Sequence, residues 1–327
     1  MSALLLPAGA VPAPVEGTVQ ARTVGAVAAR ALACSDGWVT PLAEWRDAPY
    51  ADAAGELVWL GRRPRTHHPR MVTVDIALPL RAAVRIDATH ASIWQPTPVA
   101  INAPAHWRSR LQALCWRVGA FSPGGFATLL AGRAPPFPLD LAVPRVRALA
   151  REYARGNADG IASASRALLG LGTGLTPSGD DLVGAALFAA RLLGRDVEAV
   201  CARVLADAPL RTHRLSCALL ADLAGGHSYG VLHDLVDALA QDPSADGGAE
   251  PRQRPPHCVL AQTRASAVDR ALADLGAIGH SSGWDMFTGL VIGAVCAPRQ
   301  LSEADGWQTA GRRHNLNDSH NLNDSQR

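Results

Sequence analysis

The pattern of apolar and polar positions divides the chain into two parts. Between residues 37 and 94, short β-branched or aromatic runs alternate with Gly and Pro, as in GWVTPL, GELVWLG, RMVTVDIAL and AVRIDATHASIW. Such runs between turn residues are typical of strands. Two early helices are also predicted, one over the alanine-rich segment 19–33 and one in APAHWRSRLQALCWRVGA. Residues 1–140 are therefore predicted to form a β-rich N-terminal domain.

Helical periodicity dominates after a connection rich in Pro and Gly at 121–140. The predicted helices cover 144–155, 159–169, 181–193, 196–206, 211–224, 229–240, 262–275 and 284–296. The helices at 181–193 and 284–296 are apolar on nearly all sides, so we expect them at the centre. QDPSADGGAEPRQRPP is predicted to be a surface loop, and the polar repeat HNLNDS predicts a disordered tail over 301–327. The predicted fold class is α+β, with a mainly helical domain at 141–300.

The amino-acid composition excludes several classes of enzyme and of binding partner. The 327 residues carry a formal net charge of +2, and all 31 basic residues are arginine. The small net charge predicts neither a nucleic-acid nor a membrane partner. The absence of lysine excludes a Schiff-base enzyme and a Walker-type phosphate loop. Six cysteines without a C-x-x-C pair, and an N-terminus that lacks the features of a signal peptide, predict reduced thiols and a bacterial cytoplasmic location.

The segment GLGTGLTPSGDDLVGAAL (170–187) combines a Gly-rich loop with a predicted helix start. Ser178 and Asp181 form the S-x-x-D spacing of a capping box, which accounts for the polar residues. Capping does not account for three glycines, which are costly to order unless the backbone adopts positive φ or approaches a ligand closely. A Gly-rich loop before a helix N-terminus suits phosphate or carboxylate. The candidate anion-binding residues here are Gly172, Thr173, Gly174, Thr176, Ser178 and Gly179.

The two adjacent aspartates of this loop are candidate catalytic residues. Asp180 is suited to hold Mg²⁺ or to orient a substrate amide, and Asp181 is the second carboxylate. Mg²⁺ is the one cofactor that the pattern suggests.

A second segment, GHSSGWDMFTGL (279–290), repeats the S-G-x-D pattern before an apolar run. One interpretation is chance; the other is that two buried helices point their N-termini into one cleft, with Gly184, Gly289 and Gly293 allowing close packing. The second predicts that the loops lie within about 12 Å of each other, near enough for one small substrate to contact both. Under this interpretation, the candidate binding residues are Ser281, Ser282 and Gly283, and the candidate catalytic residues are Asp285 and His280. The alternative for His280 is a hydrogen-bonded cap.

Between the two loops, LRTHRLSCALLADLAGG offers further anion-binding candidates. Arg211, Thr212 and Arg214 lie at the start of a predicted helix, and an arginine is suited to clamp an anion in a chain without lysine. The alternative is that both arginines form a solvated face.

The motifs GLGTGLTPSGDD, THRLS and GHSSGWD, in this order, resemble the AllH-type family over roughly residues 100–296. Leu182 stands where that family usually has a bulky aromatic residue. The resemblance implies a subunit of an oxamate carbamoyltransferase, in which oxalurate and phosphate give oxamate and carbamoyl phosphate, together with companion protein subunits. We therefore expect a carbamoyltransferase-type enzyme or subunit that binds a small anionic substrate and phosphate. The alternatives are a non-catalytic subunit that binds a small anion or acts as a scaffold, and a purely structural subunit whose glycines serve helix packing.

Overall fold

The computed structural model describes residues 18–42, 49–62, 64–76, 82–241 and 266–294. The predicted surface loop, apart from its first residue, and the predicted tail at 301–327 lie outside the described residues, as do Cys258 and Cys296.

The N-terminal part of the structure is a seven-stranded sheet. Its strand order is β5-β4-β3-β2-β6-β1-β7, and β1 also pairs with β5, so the sheet closes on itself. The first strand is antiparallel to β5 but parallel to β6 and β7. The strands are β1 (Thr18–Gly25), β2 (Trp38–Pro41), β3 (Tyr50–Ala53), β4 (Glu56–Gly61), β5 (Met71–Val74), β6 (Val84–Asp87) and β7 (Ser92–Trp94). Helix α1 (Ala26–Cys34) packs against this sheet.

Two local predictions for this part are corrected. The predicted helix at 19–33 is a strand up to Gly25 and a helix only from Ala26. The polar and β-branched letters of TVQARTVG suit a strand, whereas the alanines that follow favour a helix. Strand β3 was not predicted, because its sequence YADA is short and contains residues that are depleted in strands.

The rest of the described chain is mainly helical, which confirms the predicted α+β class. Its helices are α2 (Pro104–Arg117), α3 (Ala127–Leu130), α4 (Val143–Arg155), α5 (Ala158–Arg166), α6 (Ser178–Leu192), α7 (Glu198–Asp207), α8 (Arg214–Ala224), α9 (Gly230–Ala240), α10 (Ala267–Gly276) and α11 (Ser282–Gly293). Helix α2 contributes Trp107 and Leu111 to the same core as the later helices. The division into domains near residue 140 stays a prediction.

Helices α6 and α11 lie at the centre, as predicted. All residues from Ser178 to Ala190 and from Gly283 to Gly293 are buried. The two helices run side by side in the same direction, because Gly289 meets Leu182 and Gly293 meets Ala186. A methyl group added at Gly293 would lie 2.0 Å from the Ala186 carbonyl oxygen. Both N-termini therefore lie at the same end of the helix pair.

The third glycine of this prediction, Gly184, lies against α8. A methyl group added there would lie 2.6 Å from Cδ1 of Leu223 in α8. Among the described residues, no helix has the length and hydropathy needed to cross a membrane.

Candidate functional site

The two S-G-x-D segments meet at the N-termini of α6 and α11. The Thr176 hydroxyl oxygen lies 2.8 Å from that of Ser282, and the Ser178 hydroxyl oxygen lies 3.4 Å from that of Ser281. Residues more than a hundred positions apart in sequence are therefore in direct contact. This is the arrangement that the shared-cleft interpretation predicts.

The capping interpretation of these serines is wrong. Helix α6 begins at Ser178 with Pro177 as its N-cap residue, and α11 begins at Ser282 with Ser281 in that position. Neither N-cap residue makes a side-chain capping bond. Ser178 and Ser282 are thus the first helical residues, one position too late to cap, and their hydroxyl groups face the other loop instead.

The Gly-rich loop adopts the backbone that its glycines predict. Gly172 and Gly174 have φ angles of +119° and +102°, in the region that L side chains rarely adopt. The loop also passes close over the start of α6, since a methyl group added at Gly172 would lie 2.7 Å from the Ser178 nitrogen. Within the part of the chain that the structure describes, the backbone N–H groups of Thr173, Gly174 and Leu175 have no acceptor.

The two loops line one cavity with a volume of about 740 Å³. Its wall includes seven of the predicted site residues, namely Thr173, Gly174, Thr176, Ser178, His280, Ser281 and Ser282. It also includes residues that were not predicted, among them Tyr50, Gly125, Phe137 and Tyr229. Tyr50 belongs to the sheet, so both parts of the molecule contribute to the cavity.

Asp180 ties three segments together. Its Oδ1 accepts a hydrogen bond from the Gly170 nitrogen at 2.8 Å, and its Oδ2 accepts from the hydroxyls of Thr212 and Ser216, both at 2.6 Å. Both carboxylate oxygens therefore already accept hydrogen bonds, and the side chain holds these segments in position. This role was not predicted from the sequence. Thr212 serves the same contact and does not line the cavity.

A magnesium site at these aspartates gains no support from the surrounding residues. Within the described ranges, no group of three or more His, Cys, Asp or Glu residues lies close enough together to hold a metal ion.

Asp181 and Asp285 lie beneath the cavity and are both buried. Oδ1 of Asp285 accepts a hydrogen bond from the Phe126 nitrogen at 2.7 Å. The Oδ2 atom of each carboxyl group has no hydrogen-bond partner among the described residues. The absence of a side chain at Gly125 allows the Asp285 carboxyl group to lie this close to the backbone, because a methyl group there would lie 2.2 Å from Oδ1 of Asp285.

Burial changes the ionisation of both carboxyl groups. It raises the pKa of Asp181 well above the ordinary value, the nearby charge of Asp285 raises it further, and the hydroxyls of Ser282 and Thr176 act in the opposite direction. Burial also raises the pKa of Asp285 from 3.8 to about 7, against the effects of the Phe126 N–H and the Ser178 and Ser281 hydroxyls. Each carboxyl group therefore lies near the serine of the other helix start.

The remaining predicted residues lie elsewhere. Arg214 forms an ion pair with Asp52 and donates to the Gly55 carbonyl oxygen, so it is held on the sheet and outside the cavity lining. Arg211 does not line the cavity either. Gly179 and Gly283 also lie outside the lining and press against backbone, since a methyl group added to them would lie 1.9 Å and 1.7 Å from the carbonyl oxygens of Leu168 and Leu275.

His280 is exposed and lines the cavity. Among the described residues, its backbone N–H and that of Gly279 have no acceptor, so the second loop resembles the first in this respect. The alternative in which His280 is a hydrogen-bonded cap gains no support, because α11 begins two residues later.

Comparison with known proteins gives one match. No curated protein and no solved structure matches the chain. The family described as oxamate carbamoyltransferase subunit AllH has a model that matches residues 168–294, the segment that contains both S-G-x-D helix starts. Over this segment, the match confirms that the chain resembles the AllH-type family.

Proposed function

We propose that the cavity binds phosphate together with a small carbamoyl or carboxylate compound, and that the chain acts as a carbamoyltransferase-type enzyme or as a subunit of one. The convergence of two helix N-termini on one cavity carries this proposal. The match to a family of oxamate carbamoyltransferase subunits supports the reaction type.

The helix geometry favours an anion. Helices α6 and α11 have 15 and 12 residues and lie side by side with their N-termini together. Each N-terminus behaves as roughly half a positive charge, so the parallel pair places two like partial charges next to each other. A bound anion offsets this repulsion and gives acceptors to the N–H groups of Thr173, Gly174 and Leu175.

The buried carboxyl groups are compatible with an anion because burial favours their neutral form. A protonated Asp181 does not repel phosphate, and it holds a proton next to the Ser282 and Thr176 hydroxyls that line the cavity. These hydroxyls supply hydrogen bonds on the cavity side of the carboxyl group.

Transfer of a carbamoyl group to phosphate requires such a proton. A phosphate oxygen attacks the carbamoyl carbon, a C–O bond forms, the C–N bond breaks, and the leaving nitrogen must gain a proton. In our proposal, Asp181 supplies this proton through the Ser282 hydroxyl and regains one from the attacking phosphate. The loop N–H groups stabilise the negative charge that develops during the attack.

Companion subunits form part of the proposal. No arginine lines the cavity, so the described residues provide no charged clamp for a second anionic group. Phe137 at the cavity wall is 80% exposed, and we propose that a companion protein covers it.

The test combines calorimetry with an activity assay. We expect phosphate to bind the chain alone, Thr176→Val to weaken this binding about fivefold through loss of a hydrogen bond, and the exposed Ser109→Ala to leave it unchanged. Carbamoyl phosphate should form from oxalurate and phosphate once companion subunits are added. Absence of phosphate binding, together with absence of turnover in every combination, would refute the proposal.

A second candidate is a non-catalytic anion-binding or scaffolding subunit, which the lack of an arginine among the described residues of the cavity lining favours. The variant Asp181→Asn separates the two. It removes the proposed proton donor, so we expect turnover by the complex to fall at least about 100-fold if Asp181 is a general acid. Unchanged turnover with intact phosphate binding would favour the non-catalytic subunit.

A further inference from the structure

Four rings form a cluster between the sheet and the helices, next to the cavity. Trp59 of β4 lies at the centre, with ring-centroid distances of 4.4 Å to His68, 6.0 Å to Tyr229 and 6.2 Å to Tyr50. The rings of His68 and Tyr229 are 4.8 Å apart in an edge-to-face arrangement. Tyr229 and Tyr50, two of the three tyrosines of the chain, also line the cavity.

The hydroxyl group of Tyr229 has no hydrogen-bond partner among the described residues. Burial raises the pKa of Tyr229 above its ordinary value, so the group is a neutral donor. A tyrosine in a packed environment normally satisfies its hydroxyl, and a donor that lines a cavity without a protein acceptor is suited to a ligand oxygen.

An ion-pair network fixes the cluster. The Arg70 guanidinium binds Asp222 of α8 through Nη2 at 2.8 Å and Glu56 of β4 through Nη1 at 2.8 Å. The Arg70 backbone nitrogen also donates to Nδ1 of His68 at 3.2 Å. The sheet thus holds the rings that pack around Tyr229, and this packing limits the directions in which its hydroxyl points.

We propose that Tyr229 contacts the organic substrate and donates a hydrogen bond from its hydroxyl to a carboxylate or amide oxygen, while phosphate takes the loop N–H groups. This inference rests on the proposed function, because it assigns the wall of the same cavity to the planar carbamoyl or carboxylate compound. It also gives the N-terminal sheet a role, since Tyr50 and Trp59 lie in its strands and His68 lies in the connection between β4 and β5.

The test is the binding of oxamate and of phosphate to Tyr229→Phe, measured separately by calorimetry. The variant keeps the ring and removes a hydroxyl that makes no hydrogen bond to the described residues, so we expect it to fold. Oxamate should bind about tenfold more weakly, as for loss of one hydrogen bond to a charged acceptor. Phosphate affinity should change less than about twofold on the same reasoning.

Tyr153→Phe is the matched control. The Tyr153 hydroxyl also has no hydrogen-bond partner among the described residues, but it is buried in the helical core away from the cavity lining. We expect this variant to bind both ligands as the wild type does.

The outcomes separate the two proposals. A wild type that binds phosphate and oxamate, with equal oxamate affinity in Tyr229→Phe, overturns the role of Tyr229 and leaves the proposed function intact. A wild type that binds neither overturns the proposed function. If Tyr229→Phe did not fold, the change in tyrosine absorbance on addition of oxamate would be measured in Tyr153→Phe instead. An unchanged spectrum would overturn the contact between Tyr229 and the substrate.

Discussion

The two helix starts of α6 and α11 share three positions and differ at a fourth. Each has serine at helix position 1, glycine at position 2 and aspartate at position 4. In both, the serine lies at the cavity, the glycine presses against a carbonyl oxygen, and the aspartate is buried beneath the loops. The shared letters therefore correspond to shared contacts.

Position 3 separates the two starts. In α6 it is Asp180, which binds Gly170, Thr212 and Ser216. In α11 it is Trp284, whose indole packs so closely on Gly276 that a methyl group there would lie 2.4 Å from Cζ2. Each start is thus anchored to different neighbours, one by hydrogen bonds and the other by apolar packing. Of the positions that the two starts have in common, the serine lines the cavity.

The largest expected effect comes from position 2. We expect Gly179→Ala and Gly283→Ala each to lower the free energy of unfolding by at least about 3 kcal/mol, because the new methyl group overlaps a backbone carbonyl that cannot move cheaply. Urea unfolding followed by circular dichroism measures this. Gly132→Ala is the control, since its added methyl has nothing within 4 Å although φ is +72°. Control and test variants of equal stability would contradict the close contact.

The aspartates should respond in opposite directions. Asp180→Asn loses charge-assisted hydrogen bonds from two hydroxyl groups, so we expect a loss of about 2 kcal/mol in unfolding free energy.

Asp285→Asn removes a carboxyl group whose ionised form is destabilised by burial. We expect this variant to be more stable than the wild type at pH 8 by on the order of 2 kcal/mol, since each pKa unit corresponds to about 1.4 kcal/mol and burial of the amide offsets part of it.

The direction in which stability changes with pH follows from the number of protons that the folded and unfolded states bind. Burial raises the pKa of Asp285 from 3.8 to about 7, so between these values the folded state holds a proton that the unfolded state has released. Stability of the wild type should therefore fall as pH rises through this window and level off above it. Urea unfolding from pH 4 to pH 8 tests this. A wild-type slope that persists unchanged in Asp285→Asn would assign the pH dependence to other groups.

Much of the helical part could be predicted from the sequence, because helices such as α4 and α9 have a periodic apolar face. The predicted helix at 144–155 is observed as Val143–Arg155, and the predicted helix at 229–240 as Gly230–Ala240. Helices α6 and α11 begin three and two residues before their predicted starts, at Ser178 and Ser282, which have the sequence spacing of caps. Pro177 is the N-cap residue of α6, so the helix begins directly after the proline.

The convergence of the two loops was predictable from the repeated motif, but the residues across the cavity were not. Tyr50 lies in a short strand and Tyr229 is the N-cap residue of α9, and neither has a local pattern that indicates a site. Their position depends on packing between the sheet and the helices, which local sequence does not encode. The same holds for Arg214, whose partner Asp52 lies 162 positions away.

The hydroxyl pairs between the loops give a smaller, more local effect. Thr176→Val and Ser282→Ala should each weaken phosphate binding about fivefold, and the double variant should lose less than the product, because the hydroxyls are 2.8 Å apart. Ser178→Ala and Ser281→Ala should show weaker coupling of the same kind, since their hydroxyl oxygens are 3.4 Å apart. Equal coupling in both pairs would mean that distance between the hydroxyls does not decide the effect.

The smallest expected effect is that of Arg214, which the anion-clamp interpretation would make one of the largest. Its side chain is 41% exposed and forms an ion pair with Asp52, so solvent screens the interaction. We expect Arg214→Gln to lower the unfolding free energy by no more than about 1 kcal/mol and to leave phosphate affinity unchanged. Calorimetric titration with phosphate at low and high salt tests this directly. A tenfold loss of affinity in the folded variant would mean that Arg214 leaves Asp52 and reaches the cavity when the anion binds. The anion would then be bound by this arginine as well as by the two helix starts.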